Sequence, residues 1–508
     1  MTTRAGVRTS KAPADVLRSG TIALERVGTE YPSTTPYHPS EAYPEMAAHP
    51  VGTEPNAVYR GVRALFQRLG LDAENEGTPE WNPLGDWIRP GDRVVIKPNW
   101  VRDFHDELEG MIDCLVTHGS VIRAVVDYAH KALQGEGRLI VADAPQNDAV
   151  FENIEGFCGM PELQRYYRDE VGFDLEYHDL RKEYVEKLDG VLYRRETLTG
   201  DPEGYRASRL DEASELAELD EDLAKRLRGA EYDLGETYRH HHPGRHEYLI
   251  CGTILAADVV INLPKLKTHK KAGLTACLKN TVGLNGDKNW LPHHREGVPS
   301  QGGDQYADSS LRRRFERFVI ARFKEIYPYL PLGRRFAAKL FRRGGEKLFG
   351  ATNHGTVRSG NWHGNDTLWR TILDLNKVLL YCDRDGKLHP EPQRRVLSIV
   401  DAVLGGEGNG PLAPERTRTG VLLAGVNPLA VDYASARLMG FDPSRIPQIA
   451  RGFEIGPCPL LTIGESDLRC LSNVPEWNGP AASLSVPELA FEPHFGWKGH
   501  VEIDPERR

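Results

Sequence analysis

The densest set of reactive side chains lies in the run PKLKTHKKAGLTACLKNTVGLNGDKNWLPHHREG at 264–297. It carries Lys265, Lys267, His269, Lys270, Lys271, Lys279, Lys288, His293 and His294, interleaved with Asn280, Asn285, Asp287 and Asn289. So many cations beside so few carboxylates suit an anionic ligand, a carboxylate or a phosphate. A helix read over 274–281, opened by Gly273 and Thr275, would add free N–H groups and the positive end of its dipole. Crowded positive charge also lowers a lysine pKa, so one of these amines can act as base or nucleophile. The reading places Lys279, His269 and His294 as catalytic candidates, with His293 a further possible proton carrier. Lys97, Lys265, Lys267 and Lys288 join Lys279 in binding the anion, and Asn99 and Asn280 orient polar groups. A lysine run more often solvates a surface loop. Here Asn, Gly and Trp290 punctuate it, which points to a shaped loop.

Other candidates are sparser. His240, His241, His242 and His246 cluster, and on a strand His240 and His242 would face the same way, as two ligands of one divalent metal ion would. Asp143 and Asp401 are the carboxylates chosen for a metal site, or for orienting a lysine, from a set that includes Asp148, Asp304 and Asp366. In GNWHGND (360–366), Trp362 and His363 offer stacking and hydrogen bonding to a substrate, and Asp366 is read as the N-cap of the helix TLWRTILDLNKVL. The glycines of DAVLGGEGNG (401–410) allow close approach of a ligand or a sharp turn. No Walker motif, dinucleotide fingerprint or G-x-S-x-G elbow occurs.

These residues need elements to hold them. RVVIK (93–97) follows the turn signal Pro90-Gly91-Asp92 and reads as a strand; a helix over 120–133 and a strand at 138–141 follow. The second half repeats the rhythm, with strands at 258–263, 396–400 and 420–424 and a helix at 429–440 closed by Gly440. Loops at the carboxyl ends of parallel strands collect on one edge, so KPNW and DAPQND are placed to share a site with 264–297. The expected fold is therefore α/β: a mainly parallel sheet covered by helices, with a basic helical insertion. The organisation reads as an N-terminal arm over 1–90 with an amphipathic helix at 56–71, and a first core half over 91–310 with an acidic helical insert near 205–230. The insertion over 311–350, a second core half over 351–475 and a tail over 476–508 complete it. Within the acidic insert, 211–222 is read as a solvated surface element.

Composition narrows the function classes. The chain has 508 residues, 40% hydrophobic and 27% charged, enough to bury one elaborated core. A formal net charge of −9 argues against wholesale nucleic-acid binding. The seven cysteines form no C-x-x-C pair, so no iron–sulfur cluster or disulfide framework is expected. No apolar run approaches the roughly 20 residues that span a bilayer, and the start lacks an apolar export core, so a cytoplasmic location is expected. The segment 311–350 departs from the rest, with twelve Lys/Arg against three Glu interleaved with Phe and Leu. It reads either as a helical pair packed on the core or as a basic face docking to a membrane surface or acidic partner.

VVIKPNW, ADVVINLPKLKTHKKAGLTACLKNTVG, SIVDAVLGGEGNGP and GVNPLAVDYASARLMG together resemble the family called domain of unknown function 362. The resemblance covers most of 93–440 and extends to NGDKNWLPHHREG and WHGNDTLWRTILDLN in its longer stand-alone members. It implies little about activity. Some relatives carry ferredoxin-like modules or export signals, for which this chain lacks the cysteines and the leader. THKKAGLTACLKN is also similar in layout to the N-terminal domain of nickel-pincer lactate racemases. That likeness would imply a modified nucleotide or a 2-hydroxy acid held by His269 and nearby lysines. The resulting expectation is an enzyme acting on an anionic or polyhydroxylated small molecule, with a non-catalytic anion-binding or scaffold protein as the alternative.

Overall fold

The computed structural model describes residues 11–188, 191–229, 234–308, 356–454 and 456–504. The basic segment 311–350 lies outside the described residues. Twelve strands form one large mixed sheet. They are β1 (Thr21–Arg26), β2 (Arg93–Pro98), β3 (Arg138–Asp143), β4 (Leu175–Asp179), β5 (Val259–Leu263), β6 (Lys265–His269), β7 (Gly273–Thr275), β8 (Arg395–Asn409), β9 (Ala413–Thr417), β10 (Val421–Gly425), β11 (Arg469–Ser472) and β12 (Gly479–Pro480). The long path runs β12-β11-β1-β10-β8-β5-β2-β3-β4. From β8 to β4 every neighbour is parallel. These strands are short β-branched runs buried on both faces, as parallel strands between helical layers must be. β10 runs antiparallel between β8 and β1, and the segment read as an N-terminal arm thus supplies a strand of the sheet.

The covering helices include α1 (Ala57–Arg68), α2 (Gly119–Leu133), the single turn α3 (Cys277–Asn280), α4 (Leu368–Tyr381) and α5 (Pro428–Leu438). Asn56 caps α1 by accepting the Tyr59 N–H, and Asn427 caps α5 by accepting those of Leu429 and Ala430. Asp366 does not cap α4 as expected. Asn365 Oδ1 accepts the N–H groups of Thr367 and Leu368 instead. Asp366 pairs with Arg295 and Arg370, because two nearby guanidiniums outcompete a backbone donor for a carboxylate.

Three further expectations change. The segment 211–222 is anchored rather than simply solvated: the Ser214 hydroxyl and the Glu215 N–H both donate to buried Asp374 on α4, and Leu216 and Leu219 form a small apolar cluster with Leu227. PKLKTHKK is not a loop. It becomes β6, which pairs parallel with β8 and antiparallel with β7. The glycine-rich stretch after Asp401 is the upper half of β8 itself, paired to β9. Its glycines admit the protein's own chain rather than a ligand. A Cβ on Gly410 would lie 2.0 Å from the Thr268 carbonyl oxygen, and one on Gly406 would lie 2.9 Å from Pro414 Cβ. β8 therefore rises past the edge of the main sheet and carries β6, β7 and β9 as a wall above the carboxyl ends of β2, β3 and β5. Among the described residues no helix is long and apolar enough to cross a membrane.

Candidate functional site

Lys97 is the penultimate residue of β2, Asp143 is the last of β3, and Asn262 near the end of β5 is the register partner of Lys97. At this edge Lys97 Nζ donates to Asp143 Oδ1 at 2.7 Å, with both side chains buried. The other Asp143 oxygen accepts the Trp100 N–H, and Oδ1 also accepts that of Ala144. Gly283 is required behind them, since a Cβ there would stand 2.1 Å from Asp143 Oδ1. Lys288 Nζ donates to the carbonyls of Ala144 and Asn285, both at 2.9 Å.

A second ion pair sits in the wall. Lys265 Nζ lies 3.1 Å from Asp401 Oδ2 and donates to the Tyr31 hydroxyl at 2.6 Å. Tyr31 in turn donates to Asp401 Oδ1, and the His118 N–H to Oδ2. The Tyr31 and His118 rings stack at 4.0 Å. All strong acceptor positions of Asp143 and Asp401 are thus engaged by lysines and N–H or O–H donors, and the two carboxylates belong to separate pairs. They orient lysines. Among the described residues no group of three or more His, Cys, Asp or Glu is arranged to hold a metal ion.

A chain of amides links Lys267 to the end of β5. Lys267 Nζ donates to Asn99 Oδ1 and to the Leu115 carbonyl. Asn99 donates to Asn280, and Asn280 donates to Asn262, whose own amide reaches the Cys277 carbonyl. The buried chain Lys267-Asn99-Asn280-Asn262 spends its hydrogen bonds internally, so Asn99 and Asn280 fix geometry.

The helix expected at 274–281 is the single turn α3, with Gly273 to Thr275 in β7 ahead of it. Its free N–H groups do not face a ligand, because buried Asp432 on α5 accepts those of Cys277 and Leu278. Burial pushes the Asp432 carboxyl up to about 7, opposed by those N–H donors. The anion-binding helix start is therefore occupied by the protein's own carboxylate, and with it goes the glycine-opened layout shared with the racemases. Asn376 of α4 also donates to the Leu278 carbonyl at 3.0 Å. α3 is thereby clamped from two helices, and it carries Lys279.

Lys270, Lys271 and Lys279 differ from the four lysines above. Their ammonium groups have no hydrogen-bond or carboxylate partner among the described residues. Each stays partly accessible although protein crowds around it. Burial, then the repulsion of Lys288 and Lys97, holds Lys279 down at about 7 against the pull of Asp143. Burial and Lys270 hold Lys271 at about 7, with Asp304 opposing. Burial lowers Lys288 to about 8.

Two imidazoles share this field. Burial, then Lys279, Lys270, His293 and Lys271, keeps His269 well below the usual histidine range. Burial, Lys271 and Lys279 do the same to His293. His269 Nδ1 accepts the N–H groups of Lys271 and Ala272, so a neutral ring carries its proton on Nε2. His293 Nδ1 faces the Leu291 carbonyl at 2.8 Å and must donate, which leaves the Nε2 lone pair free. One ring is a donor at Nε2 and the other an acceptor. His294, the sequence-chosen partner, follows His293 on the strand Pro292–Arg295 and so points to the opposite face. Its Cβ lies toward Gly360.

The remaining candidates lie elsewhere. Trp362 Nε1 donates to the Asp304 carbonyl, and His363 stacks on His500 at 3.5 Å. The histidine cluster does not converge on one point. His240 stacks on Trp290 and meets Glu247, His241 meets the Trp290 carbonyl, and His242 meets that of Pro243. A surface cleft of about 820 Å³ bordered by His38, His49, Glu162, Arg165 and Tyr166 touches none of the lysines. Sequence reasoning missed Tyr31, His118, Asn262 and Asp432. Two of these carried a signal, since Asn262 interrupts the apolar strand DVVINL and Asp432 the apolar helix LAVDYASARLM.

Comparison with known proteins adds the family. A crystal structure of a Thermotoga maritima protein is similar at 12% identity and a TM-score of 0.27, covering 72% of this chain. This chain spans only 57% of that one. No curated protein matches. The family model described as "Domain of unknown function (DUF362)" matches residues 94–437, the span that contains every residue of the lysine cluster, and the chain belongs to this family.

Proposed function

We propose that the protein is an enzyme acting on a small anionic molecule held over Lys270, Lys271 and Lys279, with His269 and His293 exchanging protons with it. The observation that carries this reading is the set of three half-buried lysines without counter-ions. An unpaired buried cation is costly, and a protein keeps such groups together where a ligand supplies the missing charge. The opposed Nε2 states of His269 and His293 supply a hydrogen-bond donor and a base on one site. Lys97, Lys265, Lys267 and Lys288, held by carboxylates and carbonyls, form the rigid positive floor and wall. His269 and Lys279 keep the catalytic roles read from the sequence, and His293 takes that of His294.

Anion binding is the first test. Isothermal titration with sulfate, phosphate and citrate should give saturable binding to the wild type, at least tenfold weaker in a Lys271→Met, Lys279→Met double variant that folds normally. Equal affinity in both proteins, or none in either, overturns the reading.

A further inference from the structure

The three unpaired lysines are not equivalent. Lys279 is the common neighbour in the site: its charge acts on His269, His293 and Lys271, and Lys97 and Lys288 act on it. Lys270 and Lys271 sit in the turn between β6 and β7. Lys279 stands on α3, whose backbone is fixed by Asp432 at 2.6 Å and 3.1 Å and by Asn376 at 3.0 Å. Its neighbour Asn280 is locked between Asn99 and Asn262. An amine on a clamped turn, without a counter-ion, accessible to solvent and ringed by cations, has the placement of a nucleophile; a lysine that only holds charge needs no such support.

We infer that Lys279 is the nucleophilic amine of this site and that the substrate class is an anionic aldehyde or ketone, such as a 2-oxo acid, captured as an imine. This rests on the anion-site reading above. The Nζ lone pair attacks the carbonyl carbon while the carboxylate or phosphate of the substrate sits against Lys270 and Lys271, the other two unpaired lysines. An amine proton passes to the former carbonyl oxygen, giving the carbinolamine. His293 Nε2, whose lone pair is free, takes the remaining amine proton and returns it to the hydroxyl, which leaves as water as the C=N bond forms, while His269 Nε2–H stays on the ring and hydrogen-bonds the oxygen. No oxidant or reductant enters, and the balance is one amine plus one carbonyl giving one imine and one water. Burial and cationic neighbours keep a useful share of the amine unprotonated near neutral pH. The same His293 Nε2 is able to take a proton from the carbon beside the imine.

The experiment incubates the full chain with glyoxylate and sodium cyanoborohydride at pH 7.5 and maps the reduced adduct by peptide mass spectrometry. Acetaldehyde serves as the neutral control, and sulfate binding is measured on the same preparations. The expected result is an adduct on Lys279 formed at least tenfold faster with glyoxylate than with acetaldehyde and suppressed by excess sulfate. It should be absent at that position in Lys279→Arg, whose guanidinium keeps the positive charge but forms no reducible imine. Sulfate binding without a preferred adduct at Lys279, or with the adduct centred on Lys271, overturns the imine proposal and leaves the anion site standing. Absence of sulfate binding together with unselective labelling overturns both.

Discussion

Lys265 and Lys279 belong to one run of sequence and to opposite physical situations. Lys265 is fully buried, with Asp401 and Tyr31 on its ammonium, and it ties β6 to β8 and to the N-terminal segment. Lys279 is half-buried, faces only other cations at close range apart from Asp143, and ties nothing together. The difference teaches that charge density in sequence does not identify function. What separates a structural lysine from a candidate working one is whether the fold also delivered a carboxylate.

That contrast is broken most severely at Asp401. Asp401→Asn leaves the Lys265 ammonium buried beside a neutral amide and weakens the acceptor for Tyr31 and His118. The expected loss is about 3–5 kcal/mol of unfolding free energy, read from urea denaturation. Lys279→Met removes a charge with no partner and should leave the midpoint unchanged or higher while sulfate affinity falls. If Lys279→Met destabilised the fold as much as Asp401→Asn, the division into two kinds of lysine would fail.

The histidines sharpen the comparison next. His293→Gln removes the free Nε2 lone pair from the cationic site, and His294→Gln does not. Once a substrate is in hand, turnover should fall about 10²-fold in the first and within a few-fold in the second, since positioned acid–base groups contribute roughly that much. Equal losses would return His294 to the site.

Titration gives a smaller effect whose sign is fixed. Lys279 and Lys271 are held near 7 in the folded protein and have ordinary lysine values when unfolded. Between these limits the unfolded chain binds more protons, so stability without ligand rises as pH increases from about 7 toward 10. Below 7 both states are protonated and the destabilisation is fully present. Sulfate needs the charged amines, so its affinity should fall about tenfold between pH 6 and pH 8.5, opposite to the trend in stability. The groups facing Lys279 that set this response are Lys97, Lys271, Lys288, His269, His293 and Asp143. A pH-independent affinity would place the anion on paired or fully exposed cations instead.

The sequence made much of the frame legible. The β-branched runs behind Lys97, Asp143 and Asn262 read as parallel strands because apolar burial on both faces leaves an unambiguous pattern, and their carboxyl ends bring Lys97 and Asp143 together. β6 was hidden, because Lys-Leu-Lys-Thr-His has the composition of a solvated loop. Only distant partners, Tyr31 and Asp401 for Lys265 and Asn99 and the Leu115 carbonyl for Lys267, make those lysines tolerable inside, and long-range pairing leaves no local trace. The start of α3 was misplaced for the same reason: Asp432 caps it from a helix far along the chain, where sequence reading looked for a local glycine. His293 and His294 could not be ordered before the strand Pro292–Arg295 had a face.

The weakest expected effect concerns the aromatic block read as substrate-binding. Trp362 gives its indole N–H to the Asp304 carbonyl at 2.9 Å, and His363 is stacked on His500, so the first ties the block to the Asp304 loop and the second to the C-terminal segment. Neither shares a hydrogen bond or ring contact with Lys270, Lys271 or Lys279 among the described residues. Trp362→Phe keeps the ring and loses one hydrogen bond, for about 1 kcal/mol of stability, and should change sulfate affinity by less than twofold; His363→Ala should behave alike. A tenfold loss of affinity in either variant would extend the site from the wall of β6 and β8 across to this block, and the substrate would then have to reach an aromatic surface as well as the cations.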